Sequence, residues 1–342
     1  MKVTLNDISK KAGVDVVSVS YTLRDHPRAM ELRPETREKI ICAAHELGYR
    51  RNELAAAMRT GLNRTVAVIG RFEQIQNPDY DSAILGGILM EASRLDHGIK
   101  IYPESELDSS FEQILGHQIK HVISMSVEKQ ERSKTADLCR LHELKLVYIY
   151  EKAHGEFPTV SSANHAGAFD AVKYLASVGH QRIALICAPH QLFYPVEHHS
   201  GYLRALEDFG INADHRLICC EREYDVTSQE IDRMLRLPEK LRPTAFYCIA
   251  DSWAMLVERS AVENGFKVPD DVSVIGCGNS MLAKCALAPL SSIAQQFGEI
   301  GRTALRLLLG HEADVNKTDD NRYLLPTRLI HRNSVKALTI HN

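Results

Sequence analysis

Histidine, cysteine and carboxylate side chains are the ones that could do covalent or metal chemistry, and this chain of 342 residues carries sixteen histidines and eight cysteines. Their spacing does not suit catalysis. No nucleophile elbow, HExxH, Walker A or GxGxxG segment occurs, and His198-His199 has no carboxylate at metal-ligand spacing. Cys42, Cys139, Cys187, Cys219, Cys220, Cys248, Cys277 and Cys285 are scattered without a CxxC pair, so they read as reduced core thiols, not as a disulfide framework or a zinc site. The adjacent Cys219 and Cys220 are a weak pointer to redox sensing. Catalysis, a metal and a cofactor are therefore not expected.

The N-terminus carries chemistry of another kind. Thr4, followed three residues later by Asp7, is an approximate capping box that opens a helix over Leu5 to Ala12. Gly13 tolerates the positive φ of a tight turn, and Asp15 caps a second helix running to about Leu23. Two short helices with a glycine between them are a helix-turn-helix. The second helix of that motif enters the DNA major groove, which brings Val16, Val17, Ser20 and Tyr21 to base edges while Val14 and Val19 face inward. Valines touch thymine methyls and similar apolar edges. Charge agrees: residues 1 to 64 hold twelve Lys/Arg against eight Asp/Glu, a balance of +4, while the remainder stands at −7. A basic head on an acidic body is the footprint of a chain whose head alone meets a polyanion.

Further elements must hold this motif. In ETREKIICAAHELGY, residues 35 to 49, Ile40, Ile41, Ala44 and Leu47 are expected on one apolar face of a third helix that supplies the headpiece core. Residues 50 to 64 contain helix formers but only a thin apolar stripe, Leu54 and Met58, which reads as a linker that becomes helical when given a surface. From Thr65 the pattern alternates strand and helix, the mark of parallel α/β sheets. Two such series imply two lobes with a ligand cleft outside their strand ends. The organisation expected is a headpiece at 1–49, a hinge helix and linker at 50–64, and a body at 65–342. Its N-lobe is about 65–161 and 293–324, and its C-lobe about 162–292 and 325–342.

No apolar run approaches the roughly 20 residues of a membrane span. The start, MKVTLNDISKKAGVD, turns polar at once, so neither a secretory signal nor a membrane location is expected, and the chain reads as cytoplasmic.

These residues together resemble the lac repressor / galactose repressor (LacI/GalR) family over the whole chain. The resemblance rests on VTLNDISKKAGVDVVSVSYTL (3 to 23), PETREKIICAAHELGYRRNELAAAMRTG (34 to 61), YLASVGHQRIALI (174 to 186) and ENGFKVPDDVSVIG (263 to 276). LSSIAQQFGEIGRTALRLLL (290 to 309) and LLPTRLIHRNS (324 to 334) complete it. It implies a multi-domain fold: an all-α helix-turn-helix headpiece on a two-lobed α/β body of periplasmic-binding-protein type. It also implies a transcriptional regulator, a repressor, that binds a palindromic double-stranded operator as a homodimer, with a small molecule in the interlobe cleft altering affinity.

Several roles follow from the resemblance. Ser18 and Thr4 join the DNA-binding set, Ser18 facing phosphate. Arg51, Asn52, Leu54, Ala55 and Met58 fall where the hinge helix enters the minor groove, Met58 being the apolar wedge. Arg51 replaces the usual Pro, and Asp15 stands where relatives have Ser and repels nearby phosphate. The loop 24 to 33 is about three residues longer than usual. His198, Ala250 and Gly278 stand where sugar-binding relatives carry Arg, Asn and Asp, so a plain monosaccharide is not the expected effector. Arg71, Phe72, Tyr80, Tyr150, Tyr194, His198, Asp251, Trp253 and Asn279 remain as cleft candidates, favouring a carbohydrate-derived, planar or anionic ligand. A regulator with a vestigial cleft controlled by a protein partner stays open at this point. No leucine heptad follows Asn333, so a tetramerising coiled coil is not expected.

Overall fold

The computed structural model describes residues 3–24, 26–49, 63–72, 78–150, 152–189, 193–221 and 223–338. The chain divides into two compact units, Met1–Asn63 and Arg64–Asn342.

The smaller unit holds α1 (Leu5–Ala12), α2 (Val16–Thr22) and α3 (Pro34–Glu46), with a 3₁₀ turn at Pro27–Glu31 in the long loop. At α1 the capping box is reciprocal: the Asp7 amide donates to Thr4 Oγ1 at 3.3 Å and the Thr4 amide donates to Asp7 Oδ2 at 2.8 Å. Gly13 ends α1 at φ +67°, and Asp15 Oδ1 caps α2 by accepting from the Ser18 amide at 2.8 Å. Ile8, Val19, Ile40, Ala43 and Ala44 form the core, with Val14 and Leu47 packed against it. One expectation fails here. Ile41 is 56% exposed, because the inward stripe of α3 runs through 40, 43, 44 and 47, and position 41 lies a third of a turn off it.

In the larger unit, one sheet takes β1 (Thr65–Gly70), β2 (Gly98–Pro103), β3 (His121–Ser124), β4 (Lys145–Ile149), β5 (Thr159–Ser162), β11 (Asn316–Lys317) and β12 (Arg322–Leu325) in the order β11-β12-β5-β4-β3-β1-β2. A second takes β6 (Ile183–Cys187), β7 (Ile218–Cys220), β8 (Ala245–Cys248), β9 (Ser273–Cys277), β10 (Ser291–Ala294) and β13 (Arg328–Ile330) in the order β13-β10-β9-β8-β6-β7. All pairings are parallel except β11 with β12 and β10 with β13. Helices cover both faces, which is why β1 and β6 read as unbroken apolar runs instead of alternating. On the first sheet, α4 (Pro78–Arg94) and α12 (Phe297–Leu308) pack Ile84, Ile88, Ile300 and Ala304 against one face. On the other face α5 (Leu107–Gly116) and α6 (Lys129–Leu141) pack Phe111, Ile114 and Ala136. On the second sheet, α7 (Asn164–Ser177) and α8 (Phe193–Asp208) lie opposite α9 (Tyr224–Leu235), α10 (Asp251–Glu263) and the short α11 (Met281–Cys285).

The chain passes between the sheets three times, after β5, β10 and β12. Ladder pairing carries Ser162 and Leu325 in the first sheet, and Ile293 and Ala294 in the second, one or two residues beyond the divisions drawn from the sequence at 161, 293 and 324. Polar side chains stitch the crossings together: Gln295 Nε2 donates to Asn164 Oδ1 at 2.8 Å, and Gln296 Nε2 donates to the Pro326 carbonyl at 3.0 Å. Among the described residues no helix is long and apolar enough to cross a membrane.

Candidate functional site

On α2, Val19 is fully buried and Val17 is 55% exposed, so the helix turns one valine into the core and its neighbour two positions back outward. Val16, Ser18, Ser20 and Tyr21 are half-buried. Tyr21 stacks on His26 with ring centroids 4.6 Å apart, which fixes its direction at the cost of none of its hydroxyl chemistry. Ser18 is already engaged: its hydroxyl donates to Asp15 Oδ2 at 2.5 Å, and that bond with the Ser18 amide holds the Asp15 carboxyl below the usual carboxylate range. Asp15 therefore stays ionised at the start of the exposed helix, and holds the hydroxyl that the resemblance turns toward phosphate. Thr4 is exposed, with its hydroxyl given to Asp7. Arg51, Asn52, Leu54, Ala55 and Met58 lie outside the described residues.

The body encloses a cavity of about 520 Å³ at the carboxyl ends of its strands, where open parallel sheets leave a crevice. Arg71 and Phe72 reach it from the end of β1, Tyr150 from the end of β4, Ala250 from the end of β8, and Tyr194, His198 and Trp253 from α8 and α10. Tyr80, on α4, spans it. The ring stacks on Phe297 at 4.4 Å, and the hydroxyl donates to the Cys277 carbonyl at 2.7 Å, joining one lobe to the other. Gly278 makes that approach possible: at φ +121°, a Cβ there would lie 2.5 Å from Tyr80 Oη.

Two expected cleft residues are elsewhere. Asp251 does not line the cavity; it is buried and accepts from Ser292 Oγ at 2.6 Å and from the Ser280 amide at 2.8 Å, tying β10 and the loop after β9 to the start of α10. Asn279 is likewise outside it, its Oδ1 accepting from the Arg332 guanidinium and its amide donating to Ser292 Oγ at 2.9 Å. Both are braces because their short polar side chains are met by donors on neighbouring segments, the Ser292 hydroxyl and Ser280 amide at Asp251 and the Arg332 guanidinium at Asn279. His198 does line the cavity, but it is a neutral ring: its Nδ1 pairs with the Tyr247 hydroxyl at 2.7 Å and burial pushes its pKa down to about 3.

The charge of the cleft comes partly from residues that sequence reading passed over. Arg71 Nε donates to Glu104 Oε1 at 2.8 Å, and Glu104 is buried. Asp81 lines the same cavity, its carboxyl raised by burial, and accepts from the Tyr150 hydroxyl at 3.1 Å. Tyr150 itself sits at φ +79°, a conformation that costs a non-glycine residue about 1–3 kcal/mol and is tolerated where geometry matters. The cavity lining thus holds one guanidinium and two carboxyl groups, only Glu104 being paired with Arg71. Ser161, Ser162, Asn164, Ser252, Tyr224 and Gln295 supply the rest of its polar lining. The run Ser161-Ser162-Asn164 at a strand end, and the pair Gln295-Gln296 inside an otherwise apolar stretch, were the available signals.

Comparison with known proteins decides the family. Residues 4–52 match the profile of bacterial regulatory proteins of the lacI family, and 172–335 match a periplasmic binding protein-like domain. The HTH-type transcriptional repressor CytR of Escherichia coli (strain K12) is 30% identical over 344 residues, spanning 98% of this chain and 97% of that protein. This chain belongs to the lacI family of bacterial regulatory proteins. Catabolite control protein A of Priestia megaterium is 29% identical over 98% of this chain and 100% of its own length. The lac repressor dimer bound to operator and the anti-inducer ONPF superposes with a TM-score of 0.78 at 22% identity, over 98% of this chain and 99% of that one. The CelR–cellobiose complex does so at 0.69 with 24% identity, over 97% and 100%. As a family member the chain is a DNA-binding transcriptional regulator with a helix-turn-helix unit and a two-lobed α/β effector domain, and its curated relatives are regulators, not enzymes.

Proposed function

We propose that this regulator represses transcription from a palindromic operator as a homodimer in the cytoplasm, acting by binding alone, and that its cleft takes a neutral, hydroxyl-rich ligand larger than one sugar ring. The observation that carries the ligand class is a set of buried polar atoms without a partner among the described residues: Glu104 Oε2, Ser161 Oγ and Ser162 Oγ, all on residues lining the cavity. An acceptor and two hydroxyls left so cost free energy unless a bound molecule or water meets them. The surrounding walls of Phe72, Tyr80, Tyr150, Tyr194, Trp253 and Phe297 offer flat faces for stacking. The excess of carboxylate over guanidinium disfavours an anion, which narrows the classes expected from the sequence. A lone pyranose would leave much of the cavity to water and would find no Arg, Asn and Asp anchors at His198, Ala250 and Gly278.

The DNA surface in this reading is Val16, Val17, Ser18, Ser20 and Tyr21 on α2, Thr4 beside them, and the hinge residues Arg51, Asn52, Leu54, Ala55 and Met58. Selection of bound sequences from a random DNA pool should yield a two-fold symmetric site. Met58→Asp should abolish preference for it while leaving ligand binding intact, since a carboxylate cannot be wedged into a base stack. For the cleft, calorimetry should find oligosaccharides or other polyhydroxylated ligands binding and shifting operator affinity, with hexoses, pentoses and phosphorylated sugars inert. Micromolar binding of a plain hexose with a change in operator affinity would overturn the ligand class.

A further inference from the structure

Cys187 ends β6 and Cys220 ends β7, and the parallel register sets them directly opposite one another. Paired positions in neighbouring strands send their side chains to the same face across a gap of about 4.8 Å, inside the span of about 4.4–6.8 Å that a disulfide tolerates between Cα atoms. Both thiols pack on the same core, and the neighbouring Cys220 sulfur is the largest influence on the Cys187 thiol, which it raises. No other cysteines are so matched in register among the described residues. Cys219 and Cys248 face the opposite layer, from strands that β6 separates.

The two thiols differ in access. β7 is the edge strand of its sheet, and Cys220 is half-buried, whereas Cys187 is fully buried. Cys187 Sγ also lies 3.5 Å from the Pro195 carbonyl as a donor. Its single proton serves either acceptor, and ionisation of Cys220 draws it to that sulfur; accordingly the Cys220 thiol is lowered and the Cys187 thiol raised. Pro195 is buried in the first turn of α8, between Tyr194 and His198, and Ala188 follows Cys187 directly; all three of these neighbours line the cleft. A change at Cys187 therefore reaches the cavity wall through one hydrogen bond and one peptide.

We propose that Cys187 and Cys220 are a redox-sensitive dithiol, converted by hydroperoxides to an intramolecular disulfide whose formation is transmitted to the effector cleft through Pro195. The Cys220 thiolate attacks the terminal oxygen of ROOH; the O–O bond breaks, a sulfenic acid forms on Cys220, and ROH leaves with the proton. Cys187 then gives up its proton, its sulfur attacks the sulfenic sulfur, and water leaves. Two thiols lose two electrons, the peroxide bond accepts them, and the products are one disulfide, ROH and water. Joining residues held directly opposite in a sheet leaves little torsional freedom, so the bond strains and reducing thiols reopen it, as a reversible signal requires. Formation of the disulfide does not depend on what the cleft binds; its consequence for DNA rests on the reading of the cleft given above.

The test uses full-length protein carrying Cys42→Ser and Cys285→Ser, which removes the two exposed thiols. After hydrogen peroxide, alkylation and non-reducing digestion, mass spectrometry should find the peptides of Cys187 and Cys220 linked, and free again after dithiothreitol. Absence of that link, or equal linkage through Cys219, overturns the proposal. With dimedone present, Cys187→Ser should accumulate label on Cys220, while Cys220→Ser should leave Cys187 unlabelled; label on Cys187 first overturns the order of steps. If either variant fails to fold, the time course of labelling in the parent protein reads the same order. Trp253, the chain's only tryptophan and a cleft residue, should change its emission on oxidation, and operator affinity should shift by about fivefold or more, the low end of ordinary coupling. Unchanged emission in disulfide-linked protein overturns transmission to the cleft. Changed emission with unchanged operator affinity keeps the dithiol and overturns the cleft's control of DNA.

Discussion

Gly278→Ala should open the body by dislodging Tyr80. The added methyl would sit 2.5 Å from Tyr80 Oη, 2.7 Å from Cε1 and 2.9 Å from Cζ, and the backbone there is at φ +121°. A ring edge cannot yield by so much without leaving its seat. Displacing it removes the hydrogen bond to the Cys277 carbonyl, about 1 kcal/mol net, and the stack on Phe297, about another 1 kcal/mol. Forcing alanine into that backbone region adds about 1–3 kcal/mol of its own. The whole loss is then about 3–5 kcal/mol, of which only the part involving the ring belongs to Tyr80. A double-mutant cycle separates the parts: in a Tyr80→Ala background Gly278→Ala should cost only its backbone share, giving a coupling of about 2 kcal/mol. Urea unfolding of the full chain followed by Trp253 emission reports on the body, and small-angle scattering reports lobe opening in the same samples. Additive losses, with coupling below about 0.5 kcal/mol, would refute the claim that Tyr80 and Gly278 form one latch.

On the headpiece, Val17→Ala should leave stability within about 0.5 kcal/mol but relax sequence preference at one operator position, whereas Val19→Ala should lower headpiece stability by about 2 kcal/mol; both are read by thermal unfolding beside binding to a mutated operator series. Asp15→Ser keeps a capping side chain on α2, frees Ser18 and removes a negative charge, so operator affinity should rise by about threefold to tenfold in gel-shift titration, while Asp15→Ala loses the cap at about 1 kcal/mol. Acid should destabilise the body through its buried histidines. Burial pushes His180 down to about 4 and His198 to about 3 from an ordinary 6.5, so stability is full above pH 6.5 and falls as the unfolded chain alone takes up protons below it. Each contributes a slope that grows to about 1.4 kcal/mol per pH unit by about pH 5.5, and His198→Asn should flatten the dependence of the urea midpoint between about pH 5.5 and 4.5 by nearly one proton.

The headpiece was legible because its signals are local. The capping box at Thr4 and Asp7, the turn at Gly13 and the cap at Asp15 each act within three or four residues, and backbone amides near a helix start have no distant competitor for a neighbouring carboxylate. Ile41 misled because two adjacent isoleucines look alike in composition, and only the docking of α3 on α1 and α2 decides which faces inward. In the body, the alternation of apolar runs and amphipathic stretches was enough to give two mostly parallel sheets, though not the antiparallel pairs β10 with β13 and β11 with β12. The short strands β5, β10 and β13 were not separable as elements, since TVSS, SSIA and RLI carry no period of their own and become strands through neighbours far along the chain.

The cleft was the least legible part, for the same reason on a larger scale. Proximity to a strand end brought Arg71, Tyr150 and Trp253 to the cavity, but Asp251 and Asn279, equally close to strand ends, found Ser292, Ser280 and Arg332 to bond with instead. Asp81 and Glu104 became cleft carboxylates only once α4 and the segment after β2 packed beside β1. The sequence by itself determined the family, the helix-turn-helix and the alternation of strands and helices, because each is written in spacings of a few residues. Tertiary structure alone decided which polar groups satisfy one another and which are left buried without a partner on residues that line the cavity. A side chain's hydrogen-bond partners are set by a crossing chain, and Tyr80 meets Cys277 across 197 positions of sequence.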